Sequence, residues 1–138
     1  MENTLRILRI IWGASVCSIF VCILIGEGVP HSSPPAIPML QVFGFICVSE
    51  IVLIFVFRRM MVDKAAAALG SQPQDSSALA RWRGGTIVTL VLCESVALFG
   101  FVLRMLGFSL SQAGTFYLAA LVLMVFFLPR RPEQVVGE

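Results

Sequence analysis

The fold is decided by two stretches of 20 residues, PMLQVFGFICVSEIVLIFVF at positions 38–57 and GGTIVTLVLCESVALFGFVL at positions 84–103. Each stretch is apolar and contains a single charged side chain, Glu50 in the first and Glu94 in the second. About 20 residues of α-helix cross the hydrocarbon core of a bilayer, which is about 30 Å thick. The pattern therefore predicts two membrane-spanning helices, each with one carboxyl group inside the membrane.

Two further apolar runs, at positions 10–26 and 108–128, complete the pattern. Continuous apolar runs without period-two alternation favour helices, which satisfy their own backbone hydrogen bonds in lipid. We expect an all-α fold, a four-transmembrane-helix bundle that forms one membrane domain over residues 1–128. The expected helices cover about 5–26, 38–69, 76–106 and 109–128, and a disordered tail follows at 129–138. A cleaved signal peptide is the alternative interpretation of the first run, although no typical cleavage site follows it.

Composition and charge placement also indicate a membrane protein. Of the 138 residues, 58% are hydrophobic and 13% are charged, against about half and about a quarter in soluble domains. Nine of the ten Lys and Arg residues lie before the first run, between the second and third, or after the fourth. The positive-inside rule then predicts that both termini and the middle loop are cytoplasmic in a bacterial inner membrane. The net charge of only +2 gives no basic surface for nucleic acid, so the expected partner is the lipid bilayer.

The two carboxyl groups are expected to lie at a common depth. At 1.5 Å per residue, Glu50 lies about 12 Å from the cytoplasmic side and Glu94 about 16 Å, with Ser18 between them and Tyr117 somewhat deeper. Intramembrane ionisable groups normally face a partner or a binding site, so these four residues are candidates for proton or ion handling. We expect at least one carboxyl group to be protonated at neutral pH, donating to Ser18, Ser15 or a backbone carbonyl. A simple hydrogen-bonded clamp between helices remains the alternative.

Small residues recur every fourth position in the first and third helices. This spacing lets helix backbones approach closely, which drives helix association in lipid. The pattern predicts packing inside the bundle or, alternatively, a contact between copies of the chain. The residues concerned are Ala14, Ser18, Cys22 and Gly26 in the first helix and Gly85, Thr89, Cys93 and Ala97 in the third.

Two resemblances to known families can be stated. The segment ESVALFGFV at positions 94–102 resembles the carboxylate helix of rotary ATP synthase c subunits, in which a carboxylate precedes a Phe/Tyr-Gly-Leu-Val stretch. This resemblance implies that Glu94 is an ion-binding carboxylate. ALARWRG at 78–84, the segment 94–107, Phe116-Tyr117 and PRRP at 129–132 together resemble small four-helix membrane proteins of bacteria, which implies a topology and no chemistry.

The sequence contains no nucleophile–base pair, phosphate-binding loop or HExxH motif, so we expect neither an enzyme nor a cofactor. A metal site built from Cys17, Cys47, Cys93 and the two glutamates is a weaker alternative, because no paired cysteine or histidine spacing supports it. We expect a small accessory or assembly component that packs through its small-residue faces, associating with itself or with a larger membrane complex. The alternative is a proton- or cation-linked membrane protein that uses Glu50 and Glu94.

Overall fold

A computed structural model describes residues 2–29, 38–72 and 74–129, and every regular element in these ranges is helical. The expected tail beyond Pro129 and the part of the outer loop at 30–37 lie outside the described residues. The elements are α1 (Glu2–Gly28), α2 (Met39–Arg58), a π-helical segment (Arg59–Asp63), α3 (Lys64–Ser71), α4 (Ser76–Met105) and α5 (Leu110–Phe126). The all-α prediction is thus confirmed for this part of the chain.

Within the described ranges, three helices are long and apolar enough to cross a membrane, namely Glu2–Gly28, Met39–Ser71 and Ser76–Met105. The second of these is the continuous helix formed by α2, the π-helical segment and α3. The helix α5 is equally apolar but has only 17 residues. At 1.5 Å per residue it is about 26 Å long, slightly less than the hydrocarbon thickness.

The helix ends lie close to the positions that the sequence indicates. The first helix differs most, because it begins at Glu2 rather than near position 5 and continues to Gly28. Gly70, which is a typical helix-ending residue, is instead inside α3, which ends at Ser71. Asp75 caps α4, since its Oδ1 accepts hydrogen bonds from the backbone N–H of Ser77 at 2.8 Å and from the next residue at 3.3 Å.

The turn between α4 and α5 is a Schellman motif. Phe108 N–H donates to the Leu103 carbonyl at 3.1 Å, and Gly107 N–H donates to the Arg104 carbonyl at 3.1 Å. Gly107 has φ 90°, a conformation that side-chain-bearing residues rarely adopt. Leu103 and Phe108 are both buried in the same core cluster. Ser109 then opens α5 with a capping box, so this connection is closely defined on both sides.

The helix α4 is at the centre of the fold and contacts every other helix. Its buried face includes Thr89, Leu90, Cys93 and Val96. By contrast, Cys47 and Ile54 are the only buried residues of α2, so most of α2 faces outward. A second, smaller cluster at the other end of α4 joins it to α1, the π-helical segment and α3 through Leu5, Leu8, Val62, Ala65, Ala66, Leu69, Ala78 and Trp82. The helix α4 is therefore the central helix and α2 is an edge helix. Glu94 lies on the first of these and Glu50 on the second.

Candidate functional site

Glu50 lies on the one face of α2 that contains buried residues. Cys47 precedes it by three residues and Ile54 follows it by four, so all three side chains point to the same side of the helix. Both neighbours are buried, and Glu50 itself is half-buried. The glutamate therefore faces α4 rather than the outward surface of the edge helix.

Ser95 of α4 is the direct partner of Glu50. Its Oγ forms a short hydrogen bond with Glu50 Oε1 and also lies 2.7 Å from the carbonyl oxygen of Leu92. Ser95 follows Glu94 in the chain, about 1.5 Å of helix rise further on, so this contact places the Glu50 carboxyl group near the level of Glu94 on α4. The sequence analysis missed Ser95 as a partner, and its position next to Glu94 was the signal that could have identified it.

Glu94 occupies a different environment at the same level. Val91 and Leu98, which share its side of α4, are 57% and 45% exposed, and Glu94 itself is half-buried. Cys22 of α1 is close enough for the charge of Glu94 to act on it. Consecutive helical residues point about 100° apart, so Glu94 is at the contact with α1 whereas Ser95 is at the contact with α2. The two glutamates are thus at different helix contacts, Glu94 at that of α4 with α1 and Glu50 at that of α4 with α2.

Ser18 and Tyr117 do not join the carboxyl groups. Ser18 is half-buried on α1, and within the described ranges its hydroxyl makes no side-chain hydrogen bond. Tyr117 is 3% exposed and packs on Gly100, where a Cβ would be 3.4 Å from its ring. Since Gly100 is six residues beyond Glu94, Tyr117 lies about 9 Å further toward the α4–α5 turn.

Two buried polar atoms have no hydrogen-bond partner in the described part of the chain: Glu50 Oε2 and the Tyr117 hydroxyl oxygen. Such atoms are rare in native structures, and each one calls for a physical explanation. The tyrosine hydroxyl would be 3.7 Å from a Cβ at Gly26, next to the side chain of Arg104. Of these two atoms, Glu50 Oε2 lies at the depth predicted for the two carboxyl groups.

Arg104 forms an ion pair at the end of α4. Its Nε donates to Glu27 Oε1 at 2.7 Å and its Nη2 to Glu27 Oε2 at 3.1 Å, while Nη1 donates to the Phe108 carbonyl at 2.9 Å. Arg104 thus joins α1 to the α4–α5 turn. From the sequence alone, extension of this side chain toward lipid headgroups is the favoured expectation, and the structure shows the ion pair with Glu27 instead.

The two small-residue patterns behave differently. Gly85, Thr89, Cys93 and Ala97 are all buried on α4. A Cβ at Gly85 would lie 2.8 Å from a methyl group of Val62, so this face is filled by the chain itself. On α1, Gly26 is buried and Cys22 and Ser18 are half-buried, but Ala14 is exposed. Ala14 does not pack inside the described part of the chain, because the buried face of α1 is rotated toward Ser15 and Ile19, and its contact with another copy stays a prediction.

The four cysteines are free and scattered, with Cys17 exposed, Cys22 half-buried and Cys47 and Cys93 buried. Within the described residues, no group of three or more His, Cys, Asp or Glu side chains is arranged to hold a metal ion. The contact between Glu50 and Ser95 can instead hold a proton between a carboxyl group and a hydroxyl group.

No protein family model, curated protein or solved structure matches the chain. The geometry of Glu50, Ser95 and Glu94 is therefore the basis for the function proposed below.

Proposed function

We propose that the chain is a small proton-linked integral membrane protein of the bacterial inner membrane, in which Glu50 and Glu94 bind protons. The observation that supports this function best is the contact between Glu50 and Ser95, which leaves Glu50 Oε2 buried and without a hydrogen-bond partner among the described residues. A carboxyl group can accept hydrogen bonds through both oxygens, whereas Glu50 uses one of them within the described residues. An intramembrane carboxyl with an unused oxygen is suited to gaining and losing a proton.

The number of oxygen atoms around Glu50 favours binding of a proton over binding of a metal cation. The two oxygens of Glu50, the Ser95 hydroxyl and the Leu92 carbonyl are four possible ligands. Hard cations such as Ca²⁺ and Mg²⁺ take about six oxygens. A proton needs only one donor and one acceptor, and the pair of Glu50 and Ser95 supplies both.

The proposed topology has four spans, with α5 as the short fourth one and with both termini in the cytoplasm. The placement of Lys and Arg supports this orientation. Reporter fusions test it, because four spans place the C-terminus on the same side as the N-terminus and three spans place it on the opposite side. We expect a cytoplasmic reporter to be active at both ends; an active periplasmic reporter at the C-terminus would contradict the four-span topology.

Proton movement is tested with purified protein in liposomes that contain a pH-sensitive dye. An imposed potential should drive proton uptake through the wild-type protein, and Glu50→Gln should abolish it. Ser49→Ala is the matched control, because Ser49 is exposed on the same helix and bonds only to its own backbone, at the Phe45 carbonyl. Equal flux in a folded Glu50→Gln variant and in the wild type would reject this function.

An accessory or assembly role is the second candidate, and one observation favours it. Gly13 has open space around it, and Ala14 and Cys17 on the same outward side of α1 are exposed. Small outward residues let a second helix approach closely in lipid. Native Cys17 provides the test: a thiol-specific crosslinker should capture a neighbouring chain through it, and Cys17→Ser should abolish that capture. Proton flux without any capture would favour the first candidate.

A further inference from the structure

We infer that Glu50 is the carboxyl group that holds a proton in the resting protein, with its Oε1 donating to Ser95 Oγ. This deepens the proposed function, on which it rests, by naming the donor and acceptor atoms at which the proton is bound. It also assigns Ser95 the role of positioning residue.

The Ser95 hydroxyl has one hydrogen and two oxygen neighbours. One is the Leu92 carbonyl oxygen at 2.7 Å, and the other is Glu50 Oε1. A hydroxyl group donates once and accepts through its lone pairs. Both contacts are hydrogen bonds at the same time only when Ser95 donates to Leu92 and accepts from Glu50. That arrangement requires a hydrogen on Oε1, and therefore a neutral carboxyl group.

The ionised alternative leaves the site poorly satisfied. Ser95 would have to turn its only hydrogen from Leu92 to Glu50, and Oε2 would then be a buried, charged oxygen without a donor. Burial of such a charge is far more costly than burial of a neutral carbonyl oxygen. Protonation removes the charge and leaves every hydrogen in the cluster with an acceptor.

The neighbouring ionisable groups do not change this conclusion. Cys47 on α2 and Cys93 and Glu94 on α4 surround the level of Glu50, and none of them brings a positive charge. Arg58 is the nearest cation on α2, eight residues and about 12 Å of helix rise further on. Its guanidinium carbon lies 4.6 Å from the centre of the Phe127 ring. The charge of Arg58 also acts on Cys93 of α4, but the single hydrogen of Ser95 still cannot be donated to Leu92 and Glu50 at once.

The inference is specific to Glu50. Glu94 lies beside outward Val91 and Leu98, and no serine with two oxygen neighbours faces it within the described residues. The carboxyl helix that resembles the c subunit is α4, yet the described hydrogen-bond geometry singles out the glutamate of α2. The experiment must therefore separate the two residues.

Infrared spectroscopy of the reconstituted protein at neutral pH makes this separation, because a protonated carboxyl group has a C=O stretching band that a carboxylate lacks. We expect the wild type and Glu94→Gln to share one such band component and Glu50→Gln to lose it. Ser95→Ala should shift that component to higher frequency, because the carboxyl group loses its acceptor. Ser95→Thr, which keeps a hydroxyl group, should restore the wild-type position. Circular dichroism confirms that each variant retains its helices.

The infrared spectra of the Glu50→Gln and Ser95→Ala variants decide whether Glu50 holds the proton. If the band survives in Glu50→Gln, or if Ser95→Ala leaves it in place, the inference is overturned. The result is also separable from that of the flux experiment. If the infrared band of Glu50 is present but the liposomes show no proton flux, Glu50 holds a proton and the proposed transport is rejected. If proton flux depends on Glu50 but the band is absent, transport is supported and the assignment of the resting proton to Glu50 is rejected.

Discussion

The close contact between α4 and α5 makes Gly100→Ala a stringent test of the fold. A Cβ at position 100 would lie 2.9 Å from the carbonyl oxygen of Ala113 and 3.1 Å from Cβ of Phe116. Distances under 3.0 Å essentially never occur for real Cβ atoms, and a backbone oxygen cannot rotate away. The helix α5 would have to shift outward, and overpacking of this kind costs about 1–3 kcal/mol.

Gly84→Ala on the same helix is the matched control, because nothing lies within 4 Å of its Cβ position. Both substitutions gain helix propensity, by about 1 kcal/mol, so that contribution cancels when the two variants are compared. We expect Gly100→Ala to have a free energy of unfolding about 1–3 kcal/mol below that of Gly84→Ala. The assay is reversible unfolding in mixed detergent micelles, followed by circular dichroism. Equal free energies of unfolding for the two variants would refute the close α4–α5 contact.

Two further predictions concern the helix ends. Hydrogen bonds to Ser77 and the following backbone N–H hold the pKa of Asp75 below its usual value of 3.8. A lowered pKa means that the cap stabilises α4 above that value and that this stabilisation is lost as the pH falls through the folded-state pKa. Asp75→Asn, which keeps an acceptor, should therefore remove the acid-dependent loss of helix seen by circular dichroism, and an unchanged acid profile would contradict the cap. At the other end of α4, Glu27→Gln should lower the free energy of unfolding by at most about 1 kcal/mol, because the pair with Arg104 is partly exposed. Added salt should reduce that difference, and a difference that persists at high salt would argue against the ion pair.

Much of the fold is predictable because lipid imposes simple requirements on a sequence. Apolar run length gives the helices, and local chemistry at Asp75 gives the start of α4. The common level of Glu50 and Glu94 follows from counting residues at a fixed helix rise. These features depend on the helix itself and not on how helices are arranged around one another.

The remaining features depend on the arrangement of the helices. Residue counting gives the depth of Glu50 but not the side of the neighbouring helix that it meets, so the sequence suggests Ser18, Ser15 or a backbone carbonyl as partners and does not indicate Ser95. The pair of Glu27 and Arg104 joins residues that are 77 positions apart in the chain. The π-helical segment, which places Val62 against α4, contains neither proline nor glycine that would signal it.

Glu50 and Ser95 interact across the contact between α2 and α4. A double-mutant cycle with Glu50→Ala, Ser95→Ala and the double variant measures this interaction directly, as a coupling free energy of unfolding. Polar pairs between membrane helices give coupling energies of about 0.6 kcal/mol on average and up to about 1.7 kcal/mol. We expect a favourable coupling energy at the upper end of this range, and a value near zero when Ser49→Ala replaces the Glu50 substitution. A coupling of zero between Glu50 and Ser95 would contradict the account.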